Sequence, residues 1–200
     1  MKRRTTTILL SIMLSALLIA GVTFAYFTAL TEPVTNTFTA SGGISISLAE
    51  PAWDNSTHPD DQASEIEEED LGRTLAQNFV PGRLIPKDPN VKNTSEEPVW
   101  VAIKLEYTGE ADSFAAIDAF ADIDFDGANW EAKDASNTVF YYRNVLGAGQ
   151  TTSDLFTRVL IDAGVSAEDI EGFNIVITAY AVQAEGLNYG QAKAELDGLM

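Results

Sequence analysis

The sequence predicts an all-β protein with minor helical content, built as an antiparallel β-sandwich with short helices in its connections and at its C-terminus. Two observations predict this fold. Apolar residues alternate with polar ones at a period of two in several short runs. Glycine, proline and aspartate turn signals separate those runs. Since one face of each run is apolar and the other polar, we expect sheets packed face to face around a shared core.

Six runs carry the strand pattern. The two longest lie at residues 99–107 and Phe173–Gln183, where the odd-numbered residues form one apolar face. Lys104 and Glu106 lie on the opposite face of the first of these runs. The shorter runs are residues 34–40, 44–48, 138–142 and 155–161. Turns are predicted around Gly42, Gly82, Gly127 and Ala148.

Helices are predicted to be few. Apolar residues at helical spacing after Asp112 and Ser113 predict a helix of about three turns, capped by one of those two side chains. A single turn is expected at residues 166–169 and a terminal helix at residues 188–199. Residues 54–70 are rich in acids and poor in large apolar side chains, which predicts an exposed acidic loop with His58 in solvent.

The first 25 residues have the pattern of a signal peptide. Three basic residues (Lys2, Arg3 and Arg4) precede an uncharged apolar stretch, and small residues follow it. We expect cleavage between Ala25 and Tyr26, leaving residues 26–200 as a single secreted domain that meets the membrane only through its uncleaved signal. The alternative is a permanent anchor, because residues 8–27 are about long enough to cross a bilayer, which takes ~20 residues.

Composition excludes several classes of function. The formal net charge is −18, which opposes binding to nucleic acid. The chain has no cysteine and one histidine, which excludes thiolate chemistry and zinc sites with two or three histidines. No nucleophile elbow, phosphate loop or dinucleotide motif occurs. We therefore expect no enzyme and no cofactor. An exported chain without cysteine favours the surface of a Gram-positive bacterium.

Two patterns are weak candidates for binding sites. Asp122, Asp124 and Asp126 stand at the first, third and fifth positions of a calcium loop, and Gly127 at the sixth. The twelfth position, where a bidentate glutamate is expected, is Lys133. The alternative is a strand that ends in an Asp-Gly turn. The second pattern is aromatic: three tryptophans and a Phe-Tyr-Tyr cluster provide either a ligand platform or core packing. These residues are Trp53, Trp100, Trp130, Phe140, Tyr141 and Tyr142.

The segment after the cleavage point is rich in β-forming residues. Residues 26–40 begin with Tyr26 and Phe27, and Val34, Asn36 and Phe38 alternate with threonines. Such a free end either closes the sheet of its own domain or pairs with the sheet edge of a neighbour. Repeated head to tail, the second contact gives a filament. We expect residues 26–40 to act as a donor strand.

Five blocks of the sequence resemble the TasA/camelysin family of exported proteins, whose signal is removed by a SipW-type signal peptidase. They are the signal exit at residues 21–28 and the segments 36–48, 80–93, 98–103 and 177–186. The resemblance implies a jelly-roll sandwich and assembly into fibres of the biofilm matrix through N-terminal donor strands. It also implies three partners: the SipW-type peptidase, further copies of the chain and a sibling matrix protein.

We therefore expect a secreted structural protein, a subunit of a cell-surface or matrix fibre. Two alternatives remain at this stage. One is a camelysin-like surface metalloprotease, since some relatives are described as such. The other is a monomeric adhesin or carbohydrate-binding module that uses the aromatic residues.

Overall fold

A computed structural model describes residues 43–62 and 65–200 of the chain. This part is mostly β-strand, and its sheets are antiparallel, with a few short helices between them. The strands are β1 (Ile46–Ala49), β2 (Leu84–Pro86), β3 (Asn90–Asn93), β4 (Val99–Gly109), β5 (Ala121–Ile123), β6 (Trp130–Ala132), β7 (Val139–Tyr142), β8 (Arg158–Ile161) and β9 (Phe173–Gln183). The helices are α1 (Pro51–Asp54), α2 (Gly72–Leu75), α3 (Phe114–Ile117) and α4 (Tyr189–Leu199), with 3₁₀ turns at Ala76–Asn78 and Ala167–Asp169.

The largest sheet has four strands in the order β6-β7-β4-β9. Strands β4 and β9 pair over their full 11 residues, from Val99 opposite Gln183 to Gly109 opposite Phe173. A second sheet has the order β2-β8-β5, and β1 pairs with β3 in a separate ribbon. These two long paired strands therefore contribute most of the residues of the larger sheet.

The main core lies between the two larger sheets. The odd-numbered residues of β4 are fully or almost fully buried there, against apolar residues of β5 and β8. The pattern of alternation in the sequence explains this arrangement, because a period of two sends every second side chain to one face. The largest fully buried side chains are Trp130, Tyr141 and Phe156.

A smaller core covers the other face of the four-stranded sheet. Trp100, Ala102 and Tyr141 point away from the main core and pack against Ala192 and Leu196 of helix α4. The helix begins at a capping box, in which the Asn188 side chain accepts from the Gln191 N–H and the Gln191 side chain accepts from the Asn188 N–H. Helix α4 thus shields one face of the sheet that would otherwise meet water.

The sequence predicted the longest strands best. The run at residues 99–107 is the first nine residues of β4, and the run at Phe173–Gln183 is β9. Strands β1, β7 and β8 overlap the predicted runs at 44–48, 138–142 and 155–161. The predicted run at residues 34–40 lies outside the described residues. The alternation missed β2, β3 and β6, which are only three or four residues long. Strand β5 and the turn at Gly127 agree with the alternative to the calcium loop, a strand followed by an Asp-Gly turn.

The helix after Ser113 is shorter than predicted. Ser113 does cap it, because its hydroxyl accepts a hydrogen bond from the Ala116 N–H. The helix nevertheless has one turn instead of three, since the chain enters β5 at Ala121 and Phe120 and Ala121 are buried as part of the main core. The turn predicted at residues 166–169 is a 3₁₀ turn without a side-chain cap, and the predicted terminal helix is α4.

No helix in the described part of the chain is long and apolar enough to cross a bilayer. The apolar stretch at residues 8–27, on which the prediction of a signal or anchor rests, lies outside that part.

Helix α4 should contribute to stability through its buried leucine. We expect Leu196→Ala to lower the free energy of unfolding by about 2–5 kcal/mol, because Leu196 is almost fully buried. The matched control is Leu199→Ala in the same helix. Leu199 is 55% exposed, so its loss should be within about 0.5 kcal/mol. Urea denaturation of both variants measures the difference, and equal losses would contradict the packing of α4 described above.

Candidate functional site: the edge of strand β9

Strand β9 has an unpaired edge. Within the described residues, β4 pairs with one side of β9 and no strand pairs with the other. The Leu105 N–H donates to the Thr138 carbonyl, on the β7 side of β4, so the residue opposite Leu105 in β9 directs its own N–H and C=O away from β4. That residue is Ile177. By alternation, the outward main-chain groups belong to Phe173, Ile175, Ile177, Ala179, Ala181 and Gln183, and the side chains of the first five face the main core.

The sequence of β9 gives this edge no protection against pairing. Its 11 residues include no charged residue and no proline, although natural edge strands commonly use charged residues and prolines to prevent association. The five side chains that face the core are only half-buried, and Val176 on the other face is 46% exposed. The edge is therefore long, uncharged and apolar.

A groove of about 540 Å³ runs between the start of β9 and strand β2. Its apolar lining includes Trp53, Phe79, Ile85, Phe173 and Ile175. The rings of Phe79 and Phe173 pack with their centroids 5.8 Å apart. Within the described residues, this groove lies directly beside the edge of β9 that has no partner strand.

The Trp53 wall of the groove is held by charged side chains. The ammonium group of Lys87 is 4.2 Å from the centroid of the Trp53 ring and 2.7 Å from a carboxylate oxygen of Glu50. Lys87 is only 4% exposed. Burial raises the pKa of Glu50, although the positive charge of Lys87 opposes this. This buried ion pair fixes the aromatic ring at the mouth of the groove.

Gly72 allows helix α2 to lie against the same wall. A Cβ atom at Gly72 would be 1.8 Å from the Pro86 carbonyl oxygen and 2.8 Å from Cε3 of Trp53. No side chain fits there, so glycine is required for the close approach of α2 to β2 and α1.

Asp88 connects α1 to the start of β3. Its Oδ1 accepts a hydrogen bond of 2.8 Å from the Ala52 N–H. Burial raises the pKa of Asp88 to about 6, and the negative charges of Asp154 and Glu50 add to the effect. The pKa of Asp154 is also raised, mainly by burial. The corner beside the groove therefore contains several partly buried acids.

His58 is buried, and the prediction that it lies in solvent was wrong. It is 6% exposed, and its Nε2 is 2.7 Å from Oδ1 of Asn90. The Asn90 amide nitrogen donates to Asp154 and to the Asp88 carbonyl, which leaves Oδ1 as the acceptor for a proton on His58 Nε2. A lone histidine among acids gives no pattern that predicts such a contact.

Polar contacts order the described part of the acidic loop, although its acids from Asp60 onward are exposed as predicted. Asn55 exchanges two hydrogen bonds with the main chain of Ile66. Lys92 contacts Asp61 and the Pro59 carbonyl. Composition shows only that this segment has little apolar surface to bury, and it does not reveal such polar contacts.

The three candidate calcium ligands are engaged differently. Asp122 is exposed on β5. The pKa of Asp124 is lowered, because hydrogen bonds from Thr157 and Arg158 outweigh the effect of burial. Hydrogen bonds lower the pKa of Asp126 too, that from Asn129 most, followed by that from Ser153. The carboxylates of Asp124 and Asp126 therefore bind different protein donors. In the described ranges, no group of three acids or histidines is placed to hold a metal ion.

The candidate aromatic platform is divided among separate places. Trp130 is buried in the main core and Trp100 under α4, and Phe140 and Tyr141 are also buried. Tyr142 packs against Trp130, and Trp53 lines the groove beside β9. The residues of the predicted cleavage site and donor strand lie outside the described residues. They are Ala25, Tyr26, Phe27, Val34, Asn36 and Phe38.

Comparison of the chain with protein-family models, with curated proteins and with solved structures gives no match.

The raised pKa of Asp88 predicts a pH dependence of stability. A carboxyl whose pKa is higher in the folded than in the unfolded state stabilises the fold at low pH, and this contribution is lost as pH rises through the folded value, here about 6. We expect the urea midpoint of the chain to fall between about pH 5 and about pH 7.5. Asp88→Asn should reduce that fall, since the amide carries no charge and its oxygen can still accept from the Ala52 N–H.

The control is Asp122→Asn, because Asp122 is exposed on β5. It should leave the pH dependence of the urea midpoint unchanged. The interpretation of Asp88 is wrong if the chain and its Asp88→Asn variant show the same decrease with pH.

Proposed function

We propose that this chain is an exported structural subunit that assembles into extracellular fibres. In this proposal each copy donates its N-terminal segment, residues 26–40, to strand β9 of the next copy. The observation that carries the proposal is the edge of β9, which is long, uncharged and unpaired within the described residues. The proposal assigns no catalytic residue and no cofactor.

The main chain of β9 supports strand addition. Six of its residues direct N–H and C=O groups away from β4, and an added strand would satisfy them in the manner of β-augmentation. The β-rich run at residues 34–40 has seven residues, which is shorter than the 11 residues of β9. The acceptor is therefore long enough to pair with the whole run.

The groove supports the choice of this edge. An added strand would direct alternate side chains toward the opening between the two sheets, where the rings of Trp53, Phe79 and Phe173 lie. Val34, Asn36 and Phe38 share one face of the donor run. Phe38 would bury its ring among these aromatic side chains. Aromatic–aromatic contacts of this kind are common in protein interfaces.

The wider assignment follows from the resemblance to TasA/camelysin proteins. Each copy has one donor and one acceptor at different places, so repetition of the contact gives an open filament and not a closed dimer. We propose a jelly-roll topology for the sandwich, removal of residues 1–25 by a SipW-type peptidase, and a location in the matrix or on the surface of a Gram-positive bacterium. A sibling matrix protein is a further proposed partner.

Blocking the β9 edge should prevent assembly. Ala179 directs its N–H outward and has a small side chain. Ala179→Pro therefore removes one hydrogen-bond donor from the free edge of β9 and leaves the hydrogen bonds to β4 in place. We expect the mature chain to form fibres by electron microscopy and the Ala179→Pro variant to remain monomeric by size-exclusion chromatography.

The matched control is Ala179→Ser, which keeps the N–H and should assemble like the unchanged chain. Circular dichroism confirms that each variant is folded. Removal of residues 26–40 should abolish assembly as well. Fibres that form equally in the truncated chain and in Ala179→Pro would refute strand donation.

A further inference from the structure

We propose that Lys87 and Glu50 form an intramolecular isopeptide bond, an amide between Nζ of the lysine and Cδ of the glutamate. The bond links the residue before helix α1 to the residue after strand β2. It is independent of strand donation, because both residues lie in the described part of the chain and no second copy takes part.

The two reacting groups are already in contact. Nζ of Lys87 is 2.7 Å from Oε1 of Glu50, so it is no more than about 4 Å from Cδ, which is one C–O bond away. Among the described residues, Oε1 nevertheless has no partner in hydrogen-bond geometry. The amine therefore approaches the carboxyl group without being aligned as a donor to it. Two groups held this close react as if at very high concentration, up to roughly 10⁵–10⁸ M when well oriented.

Main-chain contacts hold both residues in place. The Lys87 N–H donates to the Thr157 carbonyl at 3.1 Å, and the Glu50 N–H donates to Oγ of Ser56 at 2.8 Å. The Trp53 ring lies under the ammonium group, and the side chains of Lys87 and Glu50 are only 5% and 15% exposed. The pair is therefore fixed and mostly shielded from water.

Burial favours the amide over the ion pair. In water an amine and an acid stay ionised, because water solvates both charges. In the interior much of that solvation is lost, so a buried ion pair carries a cost that a neutral amide avoids. Burial also raises the pKa of Glu50 and so favours the protonated acid, the form that loses its oxygen as water.

The condensation balances without any further reagent. One proton passes from the Lys87 ammonium to the Glu50 carboxylate, which leaves a neutral amine and a carboxylic acid. The Nζ lone pair then forms the C–N bond to Cδ. A second proton passes from nitrogen to the departing oxygen, the C–O bond breaks, and one water is released. Both side chains border the groove beside β9, which gives the water an exit.

The bond closes residues 50–87 into a covalent loop. This loop contains α1, α2 and the acidic segment between them. The chain has no cysteine and therefore no disulfide. A covalent closure restricts the unfolded chain as a disulfide does, so the bond would keep the Trp53 wall attached to β2.

Mass spectrometry of the folded, unchanged chain tests the bond. Its intact mass should be lower than the mass of its sequence by one water. After trypsin digestion, the peptide of residues 84–92 should be linked to the peptide that carries Glu50 and ends at Arg73. The free peptide of residues 84–87 should be lost, because trypsin does not cleave after a lysine whose amine is in an amide.

Two variants locate the water loss. Lys87→Met removes the amine, keeps an unbranched side chain, and should have the full mass of its sequence. The matched control is Lys104→Met. Lys104 is 2.9 Å from Glu106 in a more exposed ion pair, so this variant should still lose one water and keep the linked peptides.

A full sequence mass in the folded, unchanged chain would overturn the bond and leave the proposed assembly untouched. Asp-Gly pairs also lose water by cyclisation, so a loss confined to the peptide with Asp126 and Gly127 would overturn it as well. If Lys87→Met does not fold, the peptide map of the unchanged chain decides. A linked chain that forms no fibres would contradict the proposed function alone.

Discussion

The second edge of strand β9, which has no partner strand among the described residues, is the constraint on which the proposed assembly depends. Backbone N–H and C=O groups need partners, and alternate residues of this 11-residue strand direct theirs away from β4. Pairing with β4 along its whole length holds this strand in register. In the proposed assembly, its other edge is the template for one more strand.

The aromatic wall of the groove beside this edge is held by charged side chains, and charged side chains are seldom buried. Lys87 is buried between Glu50 and the ring of Trp53, and Asp88 holds the turn that carries Trp53. Buried ion pairs commonly add little to stability, but loss of one partner leaves an unpaired buried charge. The cluster therefore fixes the position of the aromatic wall more than it stabilises the domain. Because burial raises the pKa values of Glu50, Asp88 and Asp154, this corner stabilises the fold more in mild acid than at neutral pH.

The sequence predicted what depends on periodicity and missed what depends on individual polar contacts. Strands β4 and β9 follow from alternation over many residues, and Ser113, one of two predicted caps, follows from helix chemistry. The short strands β2 and β5 carry too few residues to show a period. The burial of His58 depends on Asn90, which is 32 residues away, and Glu50 meets Lys87 only after the sheets form. The proposed donor run is a hypothesis from the sequence pattern, whereas the choice of β9 as its proposed acceptor required the fold.

Amide hydrogen exchange of β9, resolved by residue, tests the central claim most directly. In assembled protein the outward amides of Ile175, Ile177 and Ala179 should be protected, and in the chain without residues 26–40 they should exchange rapidly. The amides of Val176 and Thr178, which face β4, should be protected in both and serve as the internal reference. Rapid exchange of the three outward amides in intact assembled protein would contradict the claim that this edge receives a strand.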